Sequence, residues 1–379
     1  MDSVLIIAGE NSGDRYGAEL VCEFKKKYPQ IEFFGIGGSQ MEQEGVQLLF
    51  SVQDLALVGL VEVLSHIPRI KKIFNSILYE VREKKPVAAV LIDSPDFNLR
   101  LAKKLKNLSV PVLYYISPTV WIWRMGRLKT IKKFVQKMML IFPFEEEIYQ
   151  KHGIPAVFVG HPLVHKVNVS MSREDFFKKH GINPKKPIIC VLPGSRDTEI
   201  GYHMPVLIEA LKKINLKYDV QFILNLANNL NKDLILKYIP LSLENIIILS
   251  EDAYAAMAYS DLALSSCGTA NLELALLETP FLAFYRLSSL SYNLGIHLMK
   301  LKNYSIVNIL AGVEVIPELI QKNFTSDKIF KETQDILESR QKQKKMIHEF
   351  KRIKALLGDK HAPQNVAIEL AKQIGEIEQ

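Results

Sequence analysis

The stretch Ala88-Ala89-Val90-Leu91-Ile92-Asp93-Ser94-Pro95-Asp96-Phe97-Asn98 shows most directly how this chain folds. Its five uninterrupted apolar residues predict a strand buried on both faces. The serine, proline and acidic residues that follow predict a turn opening a helix. A buried strand that leads into a helix is the repeating unit of a parallel sheet. Similar runs recur along the chain, so we predict an α/β protein.

The predicted strands fall into two sets on either side of the proline-containing sequence 183–187. The first set is Val4–Ala8, Glu32–Ile36, Ala88–Ile92, Val112–Ile116, Met138–Phe142 and Ala156–Val159, and the second is Ile188–Leu192, Val220–Asn225, Ile246–Leu249, Leu262–Ser266 and Phe281–Tyr285. We therefore predict two doubly wound, Rossmann-like domains facing across a cleft, with ligands at the carboxyl ends of the strands. The expected ranges are 1–165, 166–350 and a C-terminal helical segment at 351–379.

The composition is that of a globular protein large enough for two cores. The chain has 379 residues, of which 48% are apolar and 23% charged. Three widely spaced cysteines give neither a disulfide framework nor a zinc pattern, which favours a reducing, cytoplasmic environment. The first residues lack the basic region of a signal peptide, and no apolar run approaches the ~18 residues of a membrane span.

Positive charge is concentrated in the first half of the chain. The net charge is +7, yet residues 52–140 hold 16 Lys and Arg against 6 Asp and Glu. Within this segment, an apolar run at 55–63 precedes a stretch at 67–79 that mixes apolar and basic residues. This pattern is typical of a helix lying on an anionic membrane surface, and equally of an ordinary helix buried on one face.

Candidate site residues in the first half follow predicted strands. The loop 9–17 places Glu10, Ser12, Gly13 and Asp14 after the first strand, and its glycine spacing differs from the dinucleotide-binding pattern. We interpret it as a substrate-lining loop, with a tight turn and helix cap as the alternative. Asp93, nearest its strand end, is the better candidate for a general base, and Asp96 is the alternative.

Further candidates in this half have structural alternatives. Asp96 and Asn98 also suit helix capping. Trp121 and Trp123 offer flat faces to a sugar or acyl chain, and core packing is the alternative for either. Arg124 suits a phosphate, whereas the lone His161 suits either substrate contact or a structural role.

Two loops of the second half suit a nucleotide diphosphate. Gly194, Ser195 and Arg196 follow a strand and combine backbone N–H groups with a guanidinium. Gly268 and Thr269 open a helix after another strand, and the helix N-terminus attracts phosphate.

Glu273 on that helix suits the ribose hydroxyls, although a capped helix is the alternative for each loop. The chain contains no Asp-x-Asp sequence, so we expect no metal and no cofactor.

Taken together, these loops resemble the lipid-A-disaccharide synthases, which are inverting glycosyltransferases of the GT-B class. The matching stretches are 9–14, 34–45, 58–64, 92–99, 115–123, 142–145, 160–162, 192–199, 268–277, 285–286 and 308–312, and they occur in order along nearly the whole chain. The resemblance implies transfer of a sugar from UDP-2,3-diacylglucosamine to 2,3-diacylglucosamine 1-phosphate, at the cytoplasmic face of the inner membrane.

The resemblance also implies individual roles. Asp93 is then the base, Arg196 contacts the UDP diphosphate, and the helix with Gly268, Thr269 and Glu273 holds UDP. It further implies that Asn308 belongs to the donor site and that a C-terminal helix at 364–374 packs back on the first domain. The sequence departs from the family at Val307, Val313 and Cys267, where Pro, Arg and Ala are usual.

Two other functions remain open at this stage. One is another UDP-sugar enzyme of the same fold, such as a polyprenyl-acceptor transferase or a UDP-GlcNAc epimerase. The other is a basic nucleotide- or nucleic-acid-binding protein, although no nucleic-acid motif is present and we expect no such partner. The sequence leaves a homodimer open.

Overall fold

The computed structural model describes residues 2–56, 63–121, 125–227, 230, 232–287 and 303–375, and the chain forms two compact units. The N-terminal unit comprises residues 1–162 and 359–379, and the C-terminal unit comprises 163–358. The expected boundaries at 165 and 350 differ from these. The second boundary lies at Gly358 because the helix before it runs on through Leu357.

Each unit contains a sheet in which all the described strands are parallel. The order is β3-β2-β1-β4-β5-β6-β7 in the N-terminal unit and β10-β9-β8-β11-β12-β13 in the C-terminal unit. The strands are β1 Ser3–Ala8, β2 Glu32–Gly37, β3 Val46–Ser51, β4 Ala88–Ile92, β5 Val112–Tyr115, β6 Lys137–Leu140, β7 Ala156–Phe158, β8 Ile188–Leu192, β9 Gln221–Asn225, β10 Ile246–Leu249, β11 Leu262–Ser266, β12 Phe281–Tyr285 and β13 Glu318–Ile320. The predicted α/β architecture is confirmed, whereas β3 and β13 were not predicted.

Helices connect successive strands within each unit. In the described residues they are α1 Asn11–Lys25, α2 Ser39–Gln43, α3 Val52–Ala56, α4 Val63–Lys84, α5 Pro95–Asn107, α6 Arg127–Phe134, α7 Phe144–Lys151, α8 Leu163–Lys166, α9 Arg173–His180, α10 Asp197–Lys217, α11 Lys232–Leu236, α12 Ala253–Ala258, α13 Thr269–Leu276, α14 Ile306–Ala311, α15 Ser326–Leu337, α16 Arg340–Leu357 and α17 Ala362–Gly375. None of these helices combines the length and apolarity needed to cross a bilayer.

The strand order reverses at one point in each sheet. In the N-terminal unit β1 lies beside β4, with Ala8 paired to Ile92. In the C-terminal unit β8 lies beside β11, with Leu192 paired to Ser265. Connections from the two strands at such a point leave towards opposite faces, which opens a crevice at their carboxyl ends.

The last helix of the chain, α17, completes the core of the N-terminal unit. It packs on α1, and its residues Val366 and Leu370 are fully buried in that core. The Lys137 ammonium lies 2.7 Å from the Glu369 carboxylate. The segment that leads into α17 passes close to Gly160. A Cβ atom at Gly160 would lie 2.3 Å from the Lys360 carbonyl oxygen, and the φ of +106° also favours glycine.

Helix α4 carries the basic segment noted in the sequence. Ile73, Ile77 and Leu78 are buried in the core, so much of its apolar face is an ordinary packing face. Lys71 and Lys72 are exposed. The apolar run at 55–63 lies mostly outside the described residues.

Removing buried contact from α17 should destabilise the N-terminal unit. We expect Leu370→Ala to lower the free energy of unfolding by about 2–5 kcal/mol, because the substitution leaves a cavity in the core. Ile368 on the same helix is 45% exposed, so Ile368→Ala should change it by less than about 0.5 kcal/mol. Urea unfolding curves measure the free energy of unfolding of both variants. Equal losses for Leu370→Ala and Ile368→Ala would contradict the packing of α17.

Candidate active site

Two strand-end loops meet where the N-terminal sheet reverses its order. A Cβ atom added to Gly9, directly after β1, would lie 2.1 Å from Ser94 Cβ. Gly9 is therefore required by contact with the β4–α5 turn. The turn after β1 and the Asp93 turn after β4 are therefore in direct contact.

The Asp93 turn has an unusual backbone that is held by several hydrogen bonds. Asp93 and Ser94 have φ values of +48° and +45°, which non-glycine residues seldom adopt. The Asp93 N–H donates to the Tyr115 carbonyl at 2.9 Å, and the Asp93 carbonyl accepts from Asn98 Nδ2 at 2.8 Å and from the Tyr114 hydroxyl. The carboxylate position is thus fixed by its neighbours.

The Asp93 carboxyl group has an electrostatic environment suited to a base. Burial, with repulsion from Glu10, raises its pKa to about 6, and the Ser94 N–H and Arg127 partly oppose this rise. At neutral pH the group is mostly ionised and still basic enough to accept a proton.

Asp96 and Asn98 occupy different places. The Asp96 side chain is 73% exposed and lies 2.6 Å from Arg127, whose own side chain is only 12% exposed. Asn98 is fully buried, and its amide donates to the Ile92 and Asp93 carbonyls. Asn98 therefore braces the turn and does not cap α5. The sequence analysis did not identify Arg127.

Asp14 has a structural position. It is buried, and its carboxylate accepts the N–H groups of Gly38, Gln40 and Met41 at 2.6, 3.2 and 3.1 Å. It thereby caps helix α2, and the structure does not place it as a substrate-lining group.

The other residues of this loop divide by exposure. Gly13 packs against Ala8 of β1, where a Cβ atom would lie 3.3 Å from the alanine Cβ. Glu10 and Ser12 are exposed. Only Glu10 and Ser12 of the loop's candidates therefore present side chains to solvent.

A buried acid follows β6. Glu145 is 1% exposed, and its carboxylate accepts the Trp121 indole N–H at 3.1 Å and the Phe142 N–H at 3.3 Å. Burial raises the Glu145 pKa to about 7. Trp123 and Arg124 lie outside the described residues. Glu145 lies in the stretch 142–145 that matches the family, and no site role was predicted for it from the sequence.

His161 is buried against the Phe142 ring, with centroids 5.1 Å apart. Burial lowers its pKa to about 3, so the imidazole is neutral at physiological pH. This position favours the structural alternative for His161.

In the C-terminal unit, the loop after β8 holds Gly194, Ser195 and Arg196. Glu199 on α10 accepts the Ser195 N–H at 2.8 Å and lies over Gly194, whose φ is +134°. The Arg196 side chain is 69% exposed. The loop is therefore braced from α10, while its guanidinium extends into solvent.

A buried histidine braces the same loop from its other end. His203 Nδ1 donates to the Pro193 carbonyl at 2.7 Å, and its Nε2 accepts the Arg286 N–H at 3.1 Å. Burial lowers the His203 pKa, which favours the neutral ring that this pairing requires. The sequence analysis did not identify this residue.

The second expected phosphate site follows β11, the strand beside β8. Gly268 and Thr269 are exposed at the start of α13, and no side chain caps that helix end. Glu273 on the same helix accepts the Tyr254 hydroxyl at 3.1 Å. Because β8 and β11 end together, the loop with Arg196 and the α13 N-terminus lie at the same sheet edge.

Asn308 has a different surrounding from the one the resemblance implied. It is fully buried, and its amide donates to the Ile316 carbonyl and to Glu318. Its Oδ1 accepts the N–H groups of Val315 and Ile316 at 2.8 and 3.0 Å. Its side-chain hydrogen-bonding groups are used within the fold, so this side chain shapes the segment after α14, and its place in the donor site stays a prediction.

Among the described residues, one group has carboxylate and imidazole atoms close enough to meet a metal ion. It comprises His180, Glu251 and Asp252. The Lys179 ammonium lies 3.2 Å from Glu251 and 2.7 Å from Asp252. Because the ammonium already pairs with both carboxylates and the His180 ring with Asp252 at 2.9 Å, we assign no ion here.

The two doubly wound parallel sheets define a protein of the GT-B fold class. The chain is similar to the solved structure of CalG4, the calicheamicin glycosyltransferase, with a TM-score of 0.65 and 12% identity over 100% of both chains. At this identity, the likeness establishes the fold alone.

Sequence comparison identifies the family. The profile of the family described as lipid-A-disaccharide synthetase matches residues 4–371. The lipid-A-disaccharide synthase of Solibacter usitatus is 38% identical over 97% of this chain and 96% of its own. That of Geobacter sulfurreducens is 40% identical over 86% and 85%, respectively. The chain belongs to the lipid-A-disaccharide synthase family.

The contact between Gly9 and Ser94 gives a direct test of the site geometry. We expect Gly9→Ala to lose most activity, because its Cβ overlaps Ser94 Cβ and Oγ at 2.1 and 2.2 Å. Ser94→Gly removes both atoms and leaves Ser94 Cα at 3.5 Å, so the double variant should regain activity. The rate of UDP release measures the activity of each variant. A double variant no more active than Gly9→Ala would contradict the contact.

Proposed function

We propose that this protein condenses UDP-2,3-diacylglucosamine with 2,3-diacylglucosamine 1-phosphate to form lipid A disaccharide 1-phosphate and UDP. Membership of the lipid-A-disaccharide synthase family supports this reaction. The observation that carries the mechanism is Asp93, a fixed and partly buried carboxylate beside the crossover of the N-terminal sheet.

In the proposed reaction, Asp93 accepts the proton of the acceptor hydroxyl group. The hydroxyl oxygen attacks the anomeric carbon of the donor from the face opposite UDP. The new glycosidic bond forms as the bond to the diphosphate oxygen breaks, so the configuration inverts. The electron pair leaves with UDP.

The leaving diphosphate gains negative charge, and two groups of the C-terminal unit suit it. Arg196 supplies a guanidinium that extends into solvent, and the uncapped start of α13 supplies N–H groups and the positive end of a helix dipole. Glu273 lies one turn along the same helix, and we propose that it contacts the ribose. We propose no metal ion.

A lipid acceptor requires access to a bilayer surface, and α4 is the proposed contact. Its Arg69, Lys71 and Lys72 are exposed, with Arg69 paired to Asp54, and Tyr79 further along the helix is 60% exposed. Each basic residue near an anionic surface contributes on the order of 1 kcal/mol. We propose that the protein acts while bound peripherally to the cytoplasmic face of the inner membrane.

The proposed reaction is tested with the diacyl donor and acceptor in detergent micelles, with EDTA present because no metal is proposed. Mass spectrometry should detect the disaccharide 1-phosphate, and UDP should appear in equal amount. UDP-GlcNAc is supplied separately to detect an epimerase. Failure to form disaccharide at high enzyme concentration would overturn the proposal.

Loss of the Asp93 carboxylate should stop proton transfer. We expect Asp93→Asn to lower turnover by at least about 100-fold while UDP affinity is retained. In the unaltered enzyme, kcat/KM should fall about tenfold per pH unit below pH ~6, where the base is protonated. Asp96→Asn is the matched control, and a larger loss in that variant would transfer the role of base to Asp96.

Asp93→Asn, which should lower turnover, should not lower the stability of the fold. Folding raises the Asp93 pKa to about 6, so protonated Asp93 favours the fold at low pH, and this contribution is lost as pH rises through 6. Asp93→Asn carries no charge to bury. Its melting temperature at pH 8 should therefore be at least that of the unaltered protein, and a lower value would mean that the carboxylate is needed structurally.

Removing the Arg196 guanidinium should weaken UDP binding. Hydrogen bonds to charged groups contribute about 1.5–3 kcal/mol, so Arg196→Ala should raise the Kd for UDP about 10- to 100-fold by titration calorimetry. Arg340→Ala alters an exposed arginine of the same unit and should leave the Kd unchanged. An unchanged Kd in Arg196→Ala would exclude this arginine from the diphosphate site.

A further inference from the structure

The loop after β6 contains a buried carboxyl group that the proposed reaction does not use. Glu145 is the second residue of α7 and is 1% exposed. Burial of a carboxyl group is costly unless it is hydrogen-bonded, and two N–H groups from different segments supply bonds alongside the Ser117 hydroxyl. One is the Phe142 N–H of its own loop, and the other is the Trp121 indole N–H.

These bonds connect two neighbouring strand-end loops. Trp121 lies on the loop that follows β5, and β5 is the strand that holds the Asp93 backbone. The Ser117 hydroxyl on the same loop lies 2.7 Å from the Tyr149 hydroxyl of α7. The β5 loop is therefore attached to α7 at two points.

Aromatic rings continue from the Glu145 contact along the sheet edge. Trp121 packs edge-on against Phe144 at 5.0 Å between centroids, and Phe144 stacks on Phe142 at 5.7 Å. Trp121 itself is only half-buried. The result is an aromatic wall, defined here as Trp121, Phe142 and Phe144, in which the Glu145 carboxyl group accepts the indole N–H of Trp121.

We propose that Glu145 is a positioning residue that holds the aromatic wall, through the Trp121 indole, where the wall contacts the lipid sugar acceptor. This inference rests on the proposed function and names one further determinant of acceptor binding. Glu145 does not touch the substrate. It acts through Trp121.

The charge state of Glu145 provides a signature that a merely structural residue lacks. Its pKa is raised to about 7 by burial, and an ionised carboxylate accepts the indole N–H more strongly than a neutral acid does. Burial raises the pKa values of Tyr149 and Tyr114 above this range, and it lowers that of His161 to about 3. Burial raises the pKa of Asp93 to about 6. The Asp93→Asn variant therefore separates its titration from that of Glu145.

Trp121 fluorescence reads the contact without turnover. The chain has two tryptophans, so Trp123→Phe leaves Trp121 as the sole indole. The Trp121 emission should change with pH, with a midpoint near 7. This pH dependence should remain when Asp93→Asn is added and should disappear with Glu145→Gln. Glu146→Gln is the matched control, because Glu146 lies on the same helix and accepts the Phe158 N–H at 2.7 Å. A flat emission profile with Glu145 present would overturn the proposal.

Kinetics test the consequence for the acceptor. Glu145→Gln and Trp121→Phe should each raise the acceptor KM at least about fivefold, with kcat and UDP affinity little changed. The double variant should be no worse than the worse single variant, because both remove one interaction. Additive effects of the two substitutions on the acceptor KM would overturn the proposed role of Glu145. So would a KM change no larger than that of Glu146→Gln. If the unaltered protein forms no disaccharide, the proposed reaction and the acceptor role fall together, and the titration still decides whether Glu145 holds Trp121.

Discussion

The site of the N-terminal unit depends on the pairing of β1 with β4, two adjacent strands whose connections leave towards opposite faces. Their last paired residues are Ala8 and Ile92, so the residues that follow, Gly9 and Asp93, leave the sheet side by side. The close approach of the two turns requires glycine at position 9. The same crowding removes water from Asp93 and raises its pKa. Burial and basicity at this position are consequences of one strand pairing.

In the C-terminal unit, side chains of a helix hold the strand-end loop after β8 in place. This exposed loop is held by two residues of α10, one turn apart. Glu199 fixes the Ser195 N–H, and His203 fixes the Pro193 carbonyl. His203 is fully buried, where hydrogen bonds are strong and an unpaired group is costly, whereas the Glu199 bond lies at the surface. The loop can therefore expose Arg196 without itself being loosely held.

Much of the fold could be predicted because buried parallel strands appear in sequence as short apolar runs. The two missed strands lack that signal: β3 is a half-exposed edge strand with a register shift, and β13 has only three residues. Asp93 could be identified because it follows a strand directly. Glu145 and His203 could not, since their importance comes from partners distant in sequence.

Asn308 shows what a motif leaves open. A motif implied a ligand contact, yet the amide is used entirely by neighbouring backbone and Glu318. The sequence reports which residue type is present at such a position, and it does not report which of several nearby hydrogen-bonding groups will take up the side chain. That choice is made by the three-dimensional packing of the segment after α14.

The N-terminal unit is assembled from both ends of the chain, and this has a consequence for biosynthesis. Its core lacks α17 until the final helix has been translated, whereas the C-terminal unit is one continuous segment ending at Gly358. Domains of nascent chains generally fold in order from the N-terminus. Here the later-synthesised unit is the first whose residues are all available. The face of α1 that α17 covers therefore stays uncovered on the ribosome until residues 362–375 have been translated, after the whole of the C-terminal unit.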